Sequence, residues 1–207
     1  MCHNKINTSQ EDLYIINMKK DLGVLPAVFP MPVLMVGTYG ENDTVDVMNV
    51  AWGGICGEDK IALNLAPDRK TLANIRERKA FTVALADEDH IKEADFFGIA
   101  TGNKMPDKFA RTGFHAEKSK NVDAPVISEF ALTMECELLE VREMYGDFRV
   151  VGKIVNVIAD ENILNSAGKV DPSKLKAVMF DQFNMEYYAT GGKVAKAWNA
   201  GAGLMKK

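Results

Sequence analysis

Three short segments of the 207-residue chain combine polar, charged and small residues in ways that could serve chemistry. Asn49-Val50-Ala51-Trp52-Gly53-Gly54 sets an amide, a large aromatic and two glycines at the end of an apolar run. Asparagine offers a donor and an acceptor at one point. Ala51 and the glycines let a planar ligand approach the backbone, with Trp52 as its wall. A strand ending in a buried tryptophan and a turn accounts for the same residues. Ala66-Pro67-Asp68-Arg69-Lys70-Thr71 opens a helix with two cations and a hydroxyl in its first turn. Cations there oppose the helix dipole, so Arg69 and Lys70 are poorly placed for stability. With the free backbone N–H groups they are well placed to hold a phosphate. A capped surface helix with solvated charges is the alternative. Thr101-Gly102, followed by Asp107-Lys108-Phe109, gathers a hydroxyl, a permissive backbone and a further cation around a loop. A solvated lysine and a core phenylalanine would read the same way.

Other chemistries lack their residues. No GxGxxG follows a strand and no GxxxxGK occurs, and Ser9, Ser119, Ser128, Ser166 and Ser173 have no nucleophile-elbow context. Cys2, Cys56 and Cys136 are far apart with no CxxC, and His3, His90 and His115 are scattered, so no metal site is expected. Glu88-Asp89-His90 reads as an acidic helix start. Three free thiols suit a reducing cytoplasm. Lys and Arg total 25 against 29 Asp and Glu, a net charge of −4 without an electrostatic footprint for nucleic acid. No apolar run approaches the ~18 residues that cross a bilayer, and Met1 to Gln10 lacks the charged-then-apolar pattern of a secretory signal.

The elements that must position these segments are mostly hairpin strands. Val33 to Tyr39 and Thr44 to Trp52 flank Gly40-Glu41-Asn42-Asp43, where Gly and Asn tolerate positive φ. In the second strand Val45, Val47, Asn49 and Ala51 share one face, and Asp46, Met48, Val50 and Trp52 the other. Gly53-Gly54 reads as a break, with a strand resuming over Lys60 to Ala66. A helix starts at Pro67-Asp68, with Asp68 as N-cap and Leu72 and Ile75 on one face. Strands are expected at Phe81 to Ala86, Ala131 to Val141, Phe148 to Ile158 and Met185 to Ala189. Helices are expected at Asp87 to Gly98, Asp107 to Thr112 and Lys193 to Ala200. Hairpins without strand–helix–strand alternation argue against Rossmann and TIM designs and for an antiparallel barrel with helical insertions.

Taken in order, these segments resemble the flavin reductase-like, FMN-binding split-barrel family, and its flavoredoxin branch in particular. The likeness runs from about Pro30 to Gly192. It rests on Pro32-Val33, Asn49-x-Ala51-Trp52, Arg69-x-Thr71, Phe81-Thr82-Val83, Thr101-Gly102 with Asp107-Lys108-Phe109, Gly146-Asp147 and Tyr187-Tyr188. The resemblance implies a mainly β, Greek-key split β-barrel over 30–192, with an N-terminal arm over 1–29 and a C-terminal helix or tail over 193–207. It implies a homodimer binding FMN non-covalently near the interface. Asn49, Val50, Ala51 and Trp52 would lie along the isoalloxazine, and Arg69, Lys70 and Thr71 would hold the phosphate. Thr101, Gly102 and Lys108 would complete the site, with Lys108 the cation facing the pyrimidine edge. No protein acid or base is required, because the cofactor carries the chemistry. One departure stands out: many NAD(P)H-using relatives read Gly-Asp-His where this chain has Gly146-Asp147-Phe148. Phe148 has no hydrogen-bonding group, so slow direct use of NADH or NADPH is expected. The implied function is a flavin reductase-like oxidoreductase or a flavoredoxin-type electron carrier with a redox partner protein. A flavin-storage or partner-subunit module without its own NAD(P)H turnover is the alternative. Haem fits less well, since neither binding segment holds a histidine.

Overall fold

A computed structural model describes residues 19–205. Strands β1 (Met31–Pro32), β2 (Leu34–Tyr39), β3 (Val45–Val50), β4 (Gly53–Gly57) and β5 (Lys60–Leu65) lead to helix α1 (Lys70–Arg78). Then come β6 (Ala80–Leu85), α2 (Ile91–Ile99), α3 (Lys108–Thr112), β7 (Ala116–Lys118) and β8 (Pro125–Ile127). The long hairpin β9 (Leu132–Met144) and β10 (Asp147–Ala159) follows, then α4 (Pro172–Leu175), β11 (Val178–Asp181) and β12 (Glu186–Ala189).

The main sheet has seven antiparallel strands in the order β3-β2-β6-β9-β10-β5-β4. Its two edge strands are halves of one run, because only Ala51 and Trp52 separate the end of β3 from the start of β4. The Asn64 N–H donates to the Trp52 carbonyl at 2.8 Å, carrying β5 past the bend. The sheet therefore curls until its ends meet in one bent strand, and the result is a split barrel. The connection from β5 to β6 crosses one end of the barrel through α1, which gives the Greek-key order. Alternation fills the interior: Leu34, Val36, Val50, Ile61, Leu63, Leu65, Phe81, Val83, Cys136 and Val150 point inward, and Leu72 and Ile75 of α1 plug the end. A second core, including Val33, Met35, Val47 and Ala84, lies on the outer face of β2, β3 and β6 beneath α2, α3, β8 and β11. No helix among the described residues is long and apolar enough to cross a membrane.

Several expectations change. Gly53 and Gly54 open β4 instead of breaking the chain. A Cβ on Gly53 would meet Leu63 Cδ2 at 2.8 Å and Leu34 Cδ1 at 3.0 Å, so the strand passes the core there only because the residue is glycine. In the 40–43 turn the positive φ values belong to Asn42 (52°) and Asp43 (56°), and Gly40, at −90°, does not use its freedom. At α1 the N-cap position is Arg69, not Asp68, and no side chain caps the helix. Lys193 to Ala200 forms no helix; only a short 3₁₀ turn, Ala202–Met205, follows. Val194 and Trp198 are fully exposed, so no packed face stabilises so short a helix. Residues 19–29 of the expected arm are exposed without regular structure, and the rest of it lies outside the described residues.

Candidate functional site

The outward residues at the end of β3, the first turn of α1 and the loop between α2 and α3 meet in one cleft. It is lined by Asn49, Arg69, Lys70, Thr71, Thr101, Gly102 and Lys108, with Asp46 and Gly98 among its other walls. Period-two geometry explains the strand's contribution. Asn49 points outward with Val45 and Val47, and its side-chain amide donates to the Ala94 carbonyl of α2 at 3.1 Å. Gly98 lets the helix pass, since a Cβ there would come within 3.3 Å of Asn49 Cβ. Beside them the Tyr187 hydroxyl donates to Asp95 at 2.9 Å. Burial first, then this bond and the Asp95 charge, push the phenol up to about 12, against a smaller opposing effect of Asn49. Tyr188 is instead exposed, with its hydroxyl on Glu186.

The residue that ties the cleft together is one the motifs passed over. Asp46 is 6% exposed and lies near the barrel end. Its Oδ2 accepts from the Thr71 hydroxyl at 2.7 Å, and its Oδ1 lies 3.1 Å from Lys108 Nζ. That second contact is an ion pair by proximity and not an aligned hydrogen bond, for Oδ1 has no directed donor. Lys108 Nζ donates to the Ala100 carbonyl at 3.2 Å. A Cβ on Gly102 would stand 2.6 Å from Asp46 Oδ1, so only glycine lets the loop close over the carboxylate. One buried acid therefore joins β3, α1 and the 101–108 loop. The available signal was a charged residue alternating with Met48 and Val50 on the inward face of a strand.

This pairing sorts the cations. Lys108 is 2% exposed and its charge is matched by Asp46. The Thr71 hydrogen is committed to the same carboxylate, which leaves its backbone N–H for a ligand. Lys70 has no carboxylate partner among the described residues, and Arg69 has only the exposed Asp68, at 3.9 Å. No backbone acceptor takes the N–H groups of Lys70 and Thr71, as the geometry of a helix start requires. The cleft is thus a small cationic concavity of about 60 Å³, room for about two waters at their liquid volume.

The remaining motif residues lie elsewhere. Val50 is 3% exposed with its side chain in the barrel core. Ala51 and Trp52 line a separate and larger groove, where Trp52 is 54% exposed, which sets aside the buried-tryptophan reading. Phe148 packs on the barrel core with the Arg76 guanidinium 4.2 Å above its ring. Of the thiols, Cys56 is exposed, while burial pushes that of Cys136 up to about 12.

The chain matches the family model described as "Flavin reductase like domain" over residues 27–179. Flavoredoxin of Desulfovibrio vulgaris (Miyazaki F) is 36% identical, with a TM-score of 0.85 over 89% of this chain and 100% of that one. Flavoredoxin from Methanosarcina acetivorans is 23% identical, with a TM-score of 0.81 over 90% of this chain and 100% of that one. An FMN-binding protein from Thermus thermophilus shares the fold at 18% identity, with a TM-score of 0.72 over 87% of this chain and 99% of that one. With the family model matching most of its length, the chain belongs to the flavin reductase-like domain family.

Proposed function

We propose that the chain binds FMN non-covalently and works as a flavin reductase-like oxidoreductase or a flavoredoxin-type electron carrier. The observation that carries this reading is the pairing of Arg69 and Lys70, neither held in a close ion pair, with an uncapped helix start in the Asn49–Thr101 cleft. A phosphate dianion meets both charges and the free N–H groups there. The cleft is too small for a tricyclic ring, so the ring belongs on the outer side of the bend, along Ala51 and Trp52. The donor set fits FMN better than riboflavin, which would leave both cations unanswered. Lys108 serves as a buried strut and Lys70 as the working cation. FMN, when bound, supplies hydride and electron transfer through its ring; the chain's residues bind and orient it. The Desulfovibrio flavoredoxin, aligned over its whole length, supports the carrier form of the reading.

Titration of the flavin-free chain with FMN and riboflavin tests it. FMN binding much tighter than riboflavin binding is expected. Arg69→Ala with Lys70→Ala should weaken FMN by about a hundredfold or more, the range of two lost charge-assisted hydrogen bonds, and riboflavin hardly at all. Equal weakening of both ligands would show that the phosphate lies elsewhere.

Phe148 favours a module without rapid NAD(P)H turnover of its own. Its ring has no polar atom, and Arg76 covers one face. Anaerobic mixing with either nucleotide should bleach bound flavin slowly; fast bleaching would make the chain a reductase in its own right. Homodimerisation belongs to the same proposal. The β9–β10 hairpin leaves Leu139 and Val157 exposed, each at 51%. Val157→Glu should lower the sedimentation mass to that of one chain.

A further inference from the structure

The groove beside the cleft carries a charge that the flavin reading does not use. About 380 Å³ lies between the Pro26–Pro32 strap and the outer face of β4, β5 and β10. The Gln182 amide holds the strap, donating to the Val28 carbonyl at 3.1 Å. The floor is flat: Gly54 has open space where a Cβ would stand, and its cross-strand partner is Ala62. Trp52 forms a wall and Val28 part of the roof. Arg149 also lines the groove and has no ion pair with a carboxylate among the described residues. Its neighbour across β10–β5 is Asn64 and across β10–β9 is Arg142. Like charges directly opposite each other destabilise a sheet. A half-buried guanidinium beside a second arginine is a position that an anion would complete.

We propose that this groove binds a flat, largely apolar small molecule bearing one carboxylate. Its ring lies on the Gly54–Ala62 floor against Trp52, and its carboxylate meets the fork of Arg149 beside the Asn64 amide. Planar bidentate pairing is what guanidinium offers and a point charge does not. A nucleotide phosphate fits worse here, since a single arginine and no helix start face the groove. The flavin ring is assigned to the Ala51–Trp52 end of this same groove, so in the flavoprotein the Gly54–Arg149 end is the substrate pocket and the two rings lie side by side. That clause rests on the flavin reading; the binding itself does not.

The flavin-free chain can report on it, because only two tryptophans are present and Trp198 is fully exposed. In a Trp198→Phe background, benzoate should change Trp52 fluorescence saturably, and neutral benzamide should bind about tenfold to a hundredfold more weakly. Arg149→Gln should bring benzoate down to the level of benzamide, and Arg149→Lys should fall between. Thermal unfolding of Arg149→Gln should match or exceed the parent's, since the change relieves the pair with Arg142. Equal binding of benzoate and benzamide, indifference to Arg149→Gln, or no saturable change overturns the proposal. Displacement of benzoate by self-association also does so, because a second copy would then own the groove. Benzoate discrimination without FMN binding leaves this proposal standing and removes the flavin reading. FMN binding without benzoate discrimination does the reverse.

Discussion

One half of the barrel is clothed and the other is bare. On β2, β3 and β6 the outward residues Val33, Met35, Val47 and Ala84 are at most 3% exposed beneath α2, α3 and the small strands. The β9–β10 hairpin instead leaves Leu139, Val155, Val157 and Ile158 exposed. The two proposed sites fall on either side of this seam, at the Ala51–Trp52 bend. On the clothed side the covering loop returns to the barrel and brings its own counter-ion, so the cleft is internally neutralised except at Lys70 and Arg69. On the bare side the Pro26–Pro32 strap is what covers β4 and β5 among the described residues, and Arg149 has no acid among them. A preorganised anion site and an open, adaptable one thus arise from one bent strand.

The sharpest way to break the contrast is to unlock the clothed side. Asp46→Asn leaves Lys108, whose side chain is 3% exposed, as a buried ammonium without a counter-charge. Removing one partner of such a pair costs about 3–5 kcal/mol. Urea unfolding should read that loss, and Lys108→Met in the same background should recover most of it. A loss near the ~0–1 kcal/mol of a surface pair would mean that the loop is held by something else.

A smaller effect separates the two faces of the bend itself. Gly53→Ala drives a Cβ to within 2.8 Å of Leu63 and should cost about 1–3 kcal/mol. Gly54→Ala, next to it on the bare face, meets nothing within 4 Å and should stay within about 0.5 kcal/mol. Thermal melts of the two variants check the prediction directly. Similar losses would refute the inward and outward assignment of the strand.

These residues also mark where sequence reading succeeds and where it stops. The grouping of β3, with Val47 and Asn49 on one face and Val50 on the other, was legible because alternation is a local, period-two signal. Which face is the core was not, and the resemblance sets Val50 beside Asn49 as a flavin contact. Arg69 and Lys70 were legible for the same reason: two adjacent cations at a helix start violate the dipole preference on sight. The partner of Lys108 was not, since Asp46 reaches it only once β3, α1 and a distant loop have packed. Gly53-Gly54 read as a break because glycine weakens strands in general, whereas here the core leaves no room for a Cβ. Lys193 to Ala200 has a helical composition but nothing to pack against, and composition cannot report the missing neighbour. Arg149 was invisible as a site residue until the register placed Arg142 opposite it.

The smallest expected effect concerns how the clothed half is fastened. Glu135 sits on the outer face of β9, buried at 2% exposure under the segment that follows β7. Burial alone would raise its carboxyl, but donors from Ser119, Asn156 and Asn121 outweigh it and hold the group below the usual glutamate range. A depressed folded value means that the unfolded chain binds the proton first, so this contribution is complete above the unfolded glutamate value. It fades as pH falls through the folded value. Glu135→Gln should therefore flatten the acid limb of a plot of melting temperature against pH, besides any constant offset from the altered hydrogen bonds. Hydrogen exchange should place the accompanying change in residues 119–124 and leave the exposed tip of the β9–β10 hairpin alone. An unchanged acid limb, or a change centred on the hairpin tip, would mean that Glu135 is not what fastens this cover to the barrel.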